Sequence, residues 1–297
     1  MPLLSRFLPD LTVVVAFSGG PDSVFAVEKL AEQGFKNLIL SHFHHHLRIQ
    51  EGDRDALFAE NYAKEKGFSF VLGDWKTPEQ SESKARNARY TFLEAVREKT
   101  GAQAIVTGHH ADDMAETIFL QFLRGGGMRG LKGMDEWDNQ RKIWRPFLSL
   151  KKEEILHFLE EKNIAFCKDS TNTESFFTRN FLRNQVFPLL EERFEGFSGR
   201  ITKNTEHIVS VVSCLESLAD EFFTSHPEKS FAQKQFFALH PAIRYEVLRK
   251  IFAPISVESS HIAEIEEFLQ TGKSGKKWEG KGKRFQIFGE NIFYESV

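Results

Sequence analysis

Two short stretches carry residue types that could do chemistry. The first is Ser18-Gly19-Gly20-Pro21-Asp22-Ser23, set between a β-branched run and an amphipathic stretch. Glycines let backbone N–H groups approach an anion, and a helix starting at the same point adds the positive end of its dipole. Ser18 and Ser23 add hydroxyl donors. Asp22 is odd beside a phosphate unless Mg²⁺ bridges the two, or unless it only caps the helix. Two other phosphate loops are excluded. The nearest approach to G-x4-G-K-[ST], Gly125 to Gly130, is followed by Leu131, and no G-x-G-x-x-G occurs. The plain alternative is an ordinary strand–turn–helix with glycines at the turn.

The second stretch is "TGHHADDMAE", residues 107–116. Asp113 and Glu116 are i, i+3, so a helix puts both carboxylates on one face. Such a pair suits an ammonium group, whose three donors need acceptors. Asp112 could serve Mg²⁺ or cap the helix. His109 or His110 could accept a proton from an amine, and the pattern does not choose between them. A hydrolytic metal centre built from His109, His110, Asp112, Asp113 and Glu116 is the rival, but no HExxH or other ligand spacing supports it. Helix caps plus solvated acids are the bland reading.

Further candidates are cationic. Arg86, with Arg89 at i+3 on the same face, could neutralise phosphate charge; a surface ion pair with Glu82 is the alternative. Arg179 and Arg183, at i, i+4, form a possible phosphate clamp, against a salt-bridged helix after a turn pinned by Asp169 and Asn172. "GKSGKKWEGKGKR" (272–284) holds six basic residues against Glu279 alone, which is an electrostatic footprint for RNA backbone. Lys276 and Lys277 lead that patch, and Trp278 could stack on a base, unless the loop is merely solvated. "HFHHHLR" (42–48) has four of the eleven histidines and reads as a loop at the sheet edge rather than a zinc site.

Positioning these groups requires elements. "TVVVAF" (12–17), "NLILSHF" (37–43), "FSFVLG" (68–73), "AQAIVTG" (102–108) and "KIWRPF" (142–147) read as strands, with helical patterns between them. The alternation predicts an α/β fold: a parallel five-stranded sheet flanked by helices over 1–150. Ligands then gather beyond the carboxyl ends of the strands, where the polar clusters fall. Residues 151–224 read as a helical extension and linker, and 225–297 as a small α+β C-terminal domain.

Composition bounds the rest. The chain has 297 residues, a formal charge of −3 and 41% hydrophobic residues, so any nucleic-acid site is a local patch on a folded protein. Cys167 and Cys214 are the only cysteines and are not in CxxC spacing, which fits a reducing cytosol. No apolar run approaches 18 residues, so a cytoplasmic location without membrane contact is expected.

The hexapeptide at 18–23 resembles the SGGxDS loop of the PP-loop, or N-type, ATP pyrophosphatases, which cleave ATP between its α- and β-phosphates. "SESKARNARYTFL" (81–93), "TGHHADDMAETIFLQFLRGGGMRGLKGM" (107–134), "RPFLSLKKEEI" (145–155) and "DSTNTESFFTRNFLRNQVFPLL" (169–190) follow in order. Together with the tail they resemble the tRNA(Ile)-lysidine synthetases over nearly the whole chain, in a short form without a second C-terminal domain. His44 departs from the Asp or Asn more usual there. The resemblance implies adenylation by ATP of O2 of cytidine 34 in the CAU anticodon of tRNA(Ile), then attack by the ε-amine of free L-lysine. It implies ATP bound at 18–23, Mg²⁺ at Asp22, Arg86 as a charge-neutralising catalytic residue, and Asp113 and Glu116 on the lysine. Arg179, Asn180 and Arg183 match the family's R-N-x-x-R pattern, and tRNA contact is expected there and at 276–278. A homodimer is compatible with it. Thiolating and amidotransferase members of the superfamily fit less well, since they use cysteines or a glutaminase domain. A tRNA-binding or nucleotide-sensing module without turnover is the rival from another class.

Overall fold

A computed structural model of the chain describes residues 8–45, 49–75, 81–167, 178–253, 255 and 257–297. Two compact units divide it: residues 1–125 with 133–204, and residues 126–132 with 205–297.

The first unit starts with β1 (Val13–Ala16), α1 (Pro21–Glu32), β2 (Leu38–His44) and α2 (Ile49–Lys66). β3 (Ser69–Asp74), α3 (Glu82–Thr100), β4 (Ala104–Val106) and α4 (Ala111–Leu123) continue the alternation. The short helix α5 (Gly127–Leu131) belongs to the second unit. β5 (Trp137–Asp138), β6 (Ile143–Trp144) and α6 (Lys152–Glu161) complete the α/β part. Strand order is β3-β2-β1-β4-β6-β5, with every pairing parallel except β5 on β6. The sheet thus has one strand more than the expected five. β5 is a two-residue hairpin partner, too short for any periodicity, held by Asp138 Oδ1 accepting from the Gln140 and Arg141 N–H groups at 3.1 and 3.0 Å.

β-branched residues fill the central strand because both of its faces are covered. Val13 and Val15 meet Val24, Val27 and Leu30 of α1, Ala59 and Tyr62 of α2, and Ile155 and Leu159 of α6. Val14 meets Tyr90, Leu93 and Val96 of α3 on the other side. Each such side chain contributes about 1.5–3 kcal/mol by leaving water. The strand order reverses between β1 and β4, so a crevice opens beyond their carboxyl ends, where ligands of doubly wound sheets bind.

After α6 come α7 (Thr178–Phe181), a π-helical turn (Leu182–Val186) and α8 (Phe187–Arg193), whose Leu182 and Phe187 pack on Ala115 of α4. α9 (Phe197–Ser225) carries the division at Asn204/Thr205 within one uninterrupted helix. The sequence places that boundary after residue 224; a division inside a helix leaves no Gly/Pro or compositional mark to read.

The second unit holds β7 (Ser230–Ala232), α10 (Gln233–Ala238), α11 (Pro241–Phe252), α12 (Ser259–Thr271), β8 (Lys277–Gly280), β9 (Lys283–Phe288) and β10 (Asn291–Ser296). Its sheet is antiparallel, ordered β7-β10-β9-β8. Phe222, Phe231, Phe236, Phe252 and Phe285 form much of its core, which accounts for part of the phenylalanine abundance.

Candidate active site at the ends of β1 and β4

The glycine loop leaves β1 and turns into α1. Gly19 has φ +84°, and a Cβ there would lie 3.0 Å from the Phe58 ring and 3.2 Å from Cys167 Sγ. Gly20 caps α1, Pro21 supplies its first turn without a wasted N–H, and Asp22 follows where the dipole favours an anion. Ser23 is buried, and its hydroxyl donates to the Gly20 carbonyl at 2.9 Å while receiving the Ser18 N–H at 3.2 Å. Ser23 therefore braces the loop in this arrangement. The Ser18 hydroxyl receives the Gly20 N–H at 3.3 Å.

The loop after β4 lies directly against this one. A Cβ on Gly108 would come 2.4 Å from the Asp22 carbonyl oxygen, so only glycine permits the approach. His110 caps α4, and its backbone N–H donates to Asp113 Oδ2 at 3.2 Å. Its buried ring then joins the two loops. Nε2 is 3.3 Å from Asp113 Oδ2 and 3.7 Å from Asp22 Oδ1, and Nδ1 is 3.3 Å from Asp112 Oδ2. Burial works against its charged form, but Asp112, Asp113 and Asp22 together hold the imidazole above its ordinary value. His109 is the opposite case. Desolvation, opposed by Asp113 and reinforced by Arg145, Arg86 and Arg89, pushes it down to about 3. It is a neutral ring at pH 7, with Nδ1 2.7 Å from the Thr107 hydroxyl.

The acid pair sits as the i, i+3 spacing predicts, and two arginines cover it. Arg183 Nη2 reaches Asp113 Oδ1 at 2.8 Å, and Nε and Nη2 reach the Glu116 carboxylate at 2.5 and 2.8 Å. Arg179 donates to the Thr117 hydroxyl at 2.7 Å, with Nε 3.5 Å from Glu116. Glu116 is 2% exposed, and its desolvation outweighs Arg183, so its pKa stays raised. Asp113 is lowered: burial opposes ionisation, but His110, His109 and Arg183 prevail. The arginines expected on tRNA phosphate thus hold the acids expected on an amine. The π turn, an element often found at functional sites, carries Arg183 into place.

Lys152, which sequence reasoning passed over, belongs here as well. Its ammonium bonds Asp22 of the glycine loop, and its backbone N–H donates to Asp112 Oδ2 at 2.9 Å. "SLKKEE" reads only as a helix start, and nothing local marks a partner so far away in the chain. Arg86 is half-buried on α3, donates to the Tyr90 hydroxyl at 3.4 Å and bears on His109 by charge. Arg89 lies over the same ring.

A PP-loop domain model matches residues 4–190. The chain belongs to the PP-loop family. Among curated relatives of this PP-loop chain are tRNA(Ile)-lysidine synthases from Parabacteroides distasonis and Bacteroides thetaiotaomicron. The first is 34% identical over 81% of the chain and 57% of the relative, and the second 30% identical over 93% and 65%. The chain thus spans less than two thirds of the length of either. Among solved structures, the U34-tRNA thiolase NcsA from Methanococcus maripaludis shares the fold, with a TM-score of 0.56 and 18% identity over 68% of this chain and 73% of that one.

Other sequence expectations fall outside the acid pair and its arginines. His42 and His44 are not on an edge loop: both are buried on β2, an interior strand, with His42 Nδ1 3.0 Å from the Phe17 carbonyl and His44 Nε2 3.3 Å from Asp53. The strand runs one residue past the Phe43 end read from the sequence and so takes in His44. Among the described residues no group of three potential ligands could hold a metal. Asp169 and Asn172 lie outside the described residues. In the second unit, Lys276 and Lys277 are exposed. Trp278 is half-buried, packs on Phe252 and Phe285, and donates its N–H to Glu264 at 3.0 Å, which gives it a packing role instead of a free stacking face. Cys167, beside the PP-loop, is pushed up to about 12 by burial and Asp55, so it is a thiol and not a nucleophilic thiolate at neutral pH. No described helix is long and apolar enough to cross a membrane.

Proposed function

We propose that the chain is a tRNA(Ile)-lysidine synthase acting in the cytoplasm on tRNA(Ile) with a CAU anticodon, ATP and free L-lysine. One observation carries the reading: His110 touches Asp22 of the PP-loop and Asp112 and Asp113 of α4, so the phosphate loop and the acid pair form one site. Support also comes from the names of the relatives above.

The PP-loop backbone and the start of α1 hold the β- and γ-phosphates of ATP. Asp22 suits Mg²⁺, which favours one carboxylate plus phosphate oxygens over an all-protein cage; the ion would neutralise charge between the phosphates. Arg86 stands on the side of the loop after β4 to meet negative charge as pyrophosphate leaves. O2 of cytidine 34 bonds to the α-phosphorus, and the bond to the bridging oxygen breaks. Asp113 and Glu116 then receive the lysine ammonium in place of Arg183, which with Arg179 turns to the phosphates of the anticodon loop. His109 and His110 both stand by Asp113 as acceptors for the amine proton; burial disfavours protonation of the first, while Asp112, Asp113 and Asp22 favour it on the second. Lys276 and Lys277 add charge for the RNA backbone.

Mass analysis of nucleoside 34 after incubation of tRNA(Ile) with protein, ATP, Mg²⁺ and lysine tests the reading. Conversion of cytidine to lysidine is expected. Unmodified cytidine, or a thiolated base, would sink it.

A further inference from the structure

The PP-loop carries no lysine of its own, yet a departing pyrophosphate needs a cation close to the oxygen that gains charge. The fold supplies one from elsewhere in the chain. Lys152 reaches Asp22 with its ammonium, and both side chains are about one-third exposed, so an arriving phosphate can meet them. The root of the side chain is fixed. Its N–H is bonded to Asp112 at 2.9 Å, and α6 is held by Ile155 and Leu159, both fully buried in the core shared with α1. Glu154 closes the start of that helix by accepting the Lys151 N–H at 2.7 Å. Only the flexible stem and charged head are left free to move.

The charge around Asp22 points the same way. This carboxylate faces the Lys152 ammonium and, 3.7 Å away, the His110 ring. A metal ion on Asp22 would compete with the Lys152 ammonium for the same oxygen, while the triphosphate offers that ammonium new acceptors next door.

Resting on the reading of the loop as an ATP site, we propose that Lys152 is a catalytic residue of adenylation. Its ammonium moves from Asp22 to the leaving pyrophosphate. As cytidine O2 bonds to the α-phosphorus, the electron pair of the broken bond stays on the bridging oxygen. Lys152 donates a charge-assisted hydrogen bond to the pyrophosphate and keeps its proton. No further reactant is required.

The test uses the full chain with Lys152→Met and Lys152→Arg. Three quantities are read: the affinity for magnesium pyrophosphate by calorimetry, the single-turnover rate of adenylate formation on tRNA without lysine, and the rate of lysine transfer to preformed adenylate. The methionine variant should lose about tenfold in pyrophosphate affinity and about a hundredfold in adenylation, the usual scale for one lost donor. Its lysine step should stay within about twofold, and arginine should restore most of the loss. Unchanged pyrophosphate affinity in Lys152→Met would overturn the proposal. So would equal loss of both half-reactions with a lowered melting temperature and no rescue by arginine, which is the signature of a structural ion pair. Should the wild-type chain form no adenylate at all, the functional reading itself falls; should the wild type and Lys152→Met form it equally fast, only the role of Lys152 falls.

Discussion

Buried charge in the first unit gathers at the mouth of two loops, whereas in the second the buried acid Glu246 is held between two arginines away from any such loops. Glu116 is held by Arg183 and Arg179 from a turn packed on its own helix, and His110 by acids from two elements. Glu246 of α11 is also buried, and there Arg249 one turn along the same helix bonds both of its oxygens while Arg129 of α5 adds a contact at 3.3 Å. The second unit instead leaves its surplus charge in water: Lys273, Lys276, Lys277 and Lys281 are exposed above a core of phenylalanines. Desolvated charges tune pKa values and pay for it with precise partners; exposed ones attract a polyanion without shaping it. Substitutions in the first unit should therefore alter chemical steps, and those in the second should alter affinity and its salt dependence.

The comparison breaks most visibly at Asp113. Asp113→Asn should slow lysine transfer by about a hundredfold or more while adenylate still forms, a partition that rapid-quench assays with labelled ATP resolve. Equal loss of both steps would remove the division of labour between loop and acid pair. Gly108→Ala comes next. The added methyl meets the Asp22 carbonyl at 2.4 Å, so stability should fall by about 1–3 kcal/mol, read by denaturant unfolding, and adenylation should fall with it.

How far these features could be read beforehand depends on whether their causes are local. The PP-loop is legible because positive φ, a proline at the first helical position and an acid in the first turn are properties of six consecutive residues. The acid pair follows from helix spacing alone. Lys152 and the acid partners of Arg183 escape because they are brought together only by the packing of α6 and the π turn, and separation in the chain hides that. Trp278 misleads for the reverse reason. Lysines around it look like a stacking site, but register across β8 and β9 sets it opposite Phe285 and turns it into the core.

In the second unit, replacing Lys276 and Lys277 together by alanine should raise the KM for tRNA several-fold and lessen its salt dependence, leaving kcat within about twofold. A loss of kcat instead would place them in the chemistry. Trp278→Ala should cost up to about 3 kcal/mol of stability, whereas Trp278→Phe should keep tRNA affinity nearly unchanged; a selective loss of affinity in the phenylalanine variant would restore a stacking role. A further effect concerns pH. His109 takes a proton less readily folded, at about 3, than unfolded, near 6.5. The unfolded chain therefore holds the extra proton between those values, so this contribution to stability is complete above about pH 6.5 and is lost as pH falls toward 3. His109→Gln should reduce the acid-side slope by up to about 1.4 kcal/mol per pH unit, measured by urea unfolding between pH 6 and 4.

The most direct test of a single two-step site is a chase experiment with α-labelled ATP and tRNA(Ile), first without lysine and then with it. Label should become covalently attached to the tRNA in the first phase and leave as AMP when lysine is added, with lysidine appearing at the same rate. Free AMP released without ever passing through the tRNA, or labelled tRNA that lysine cannot discharge, would contradict the account.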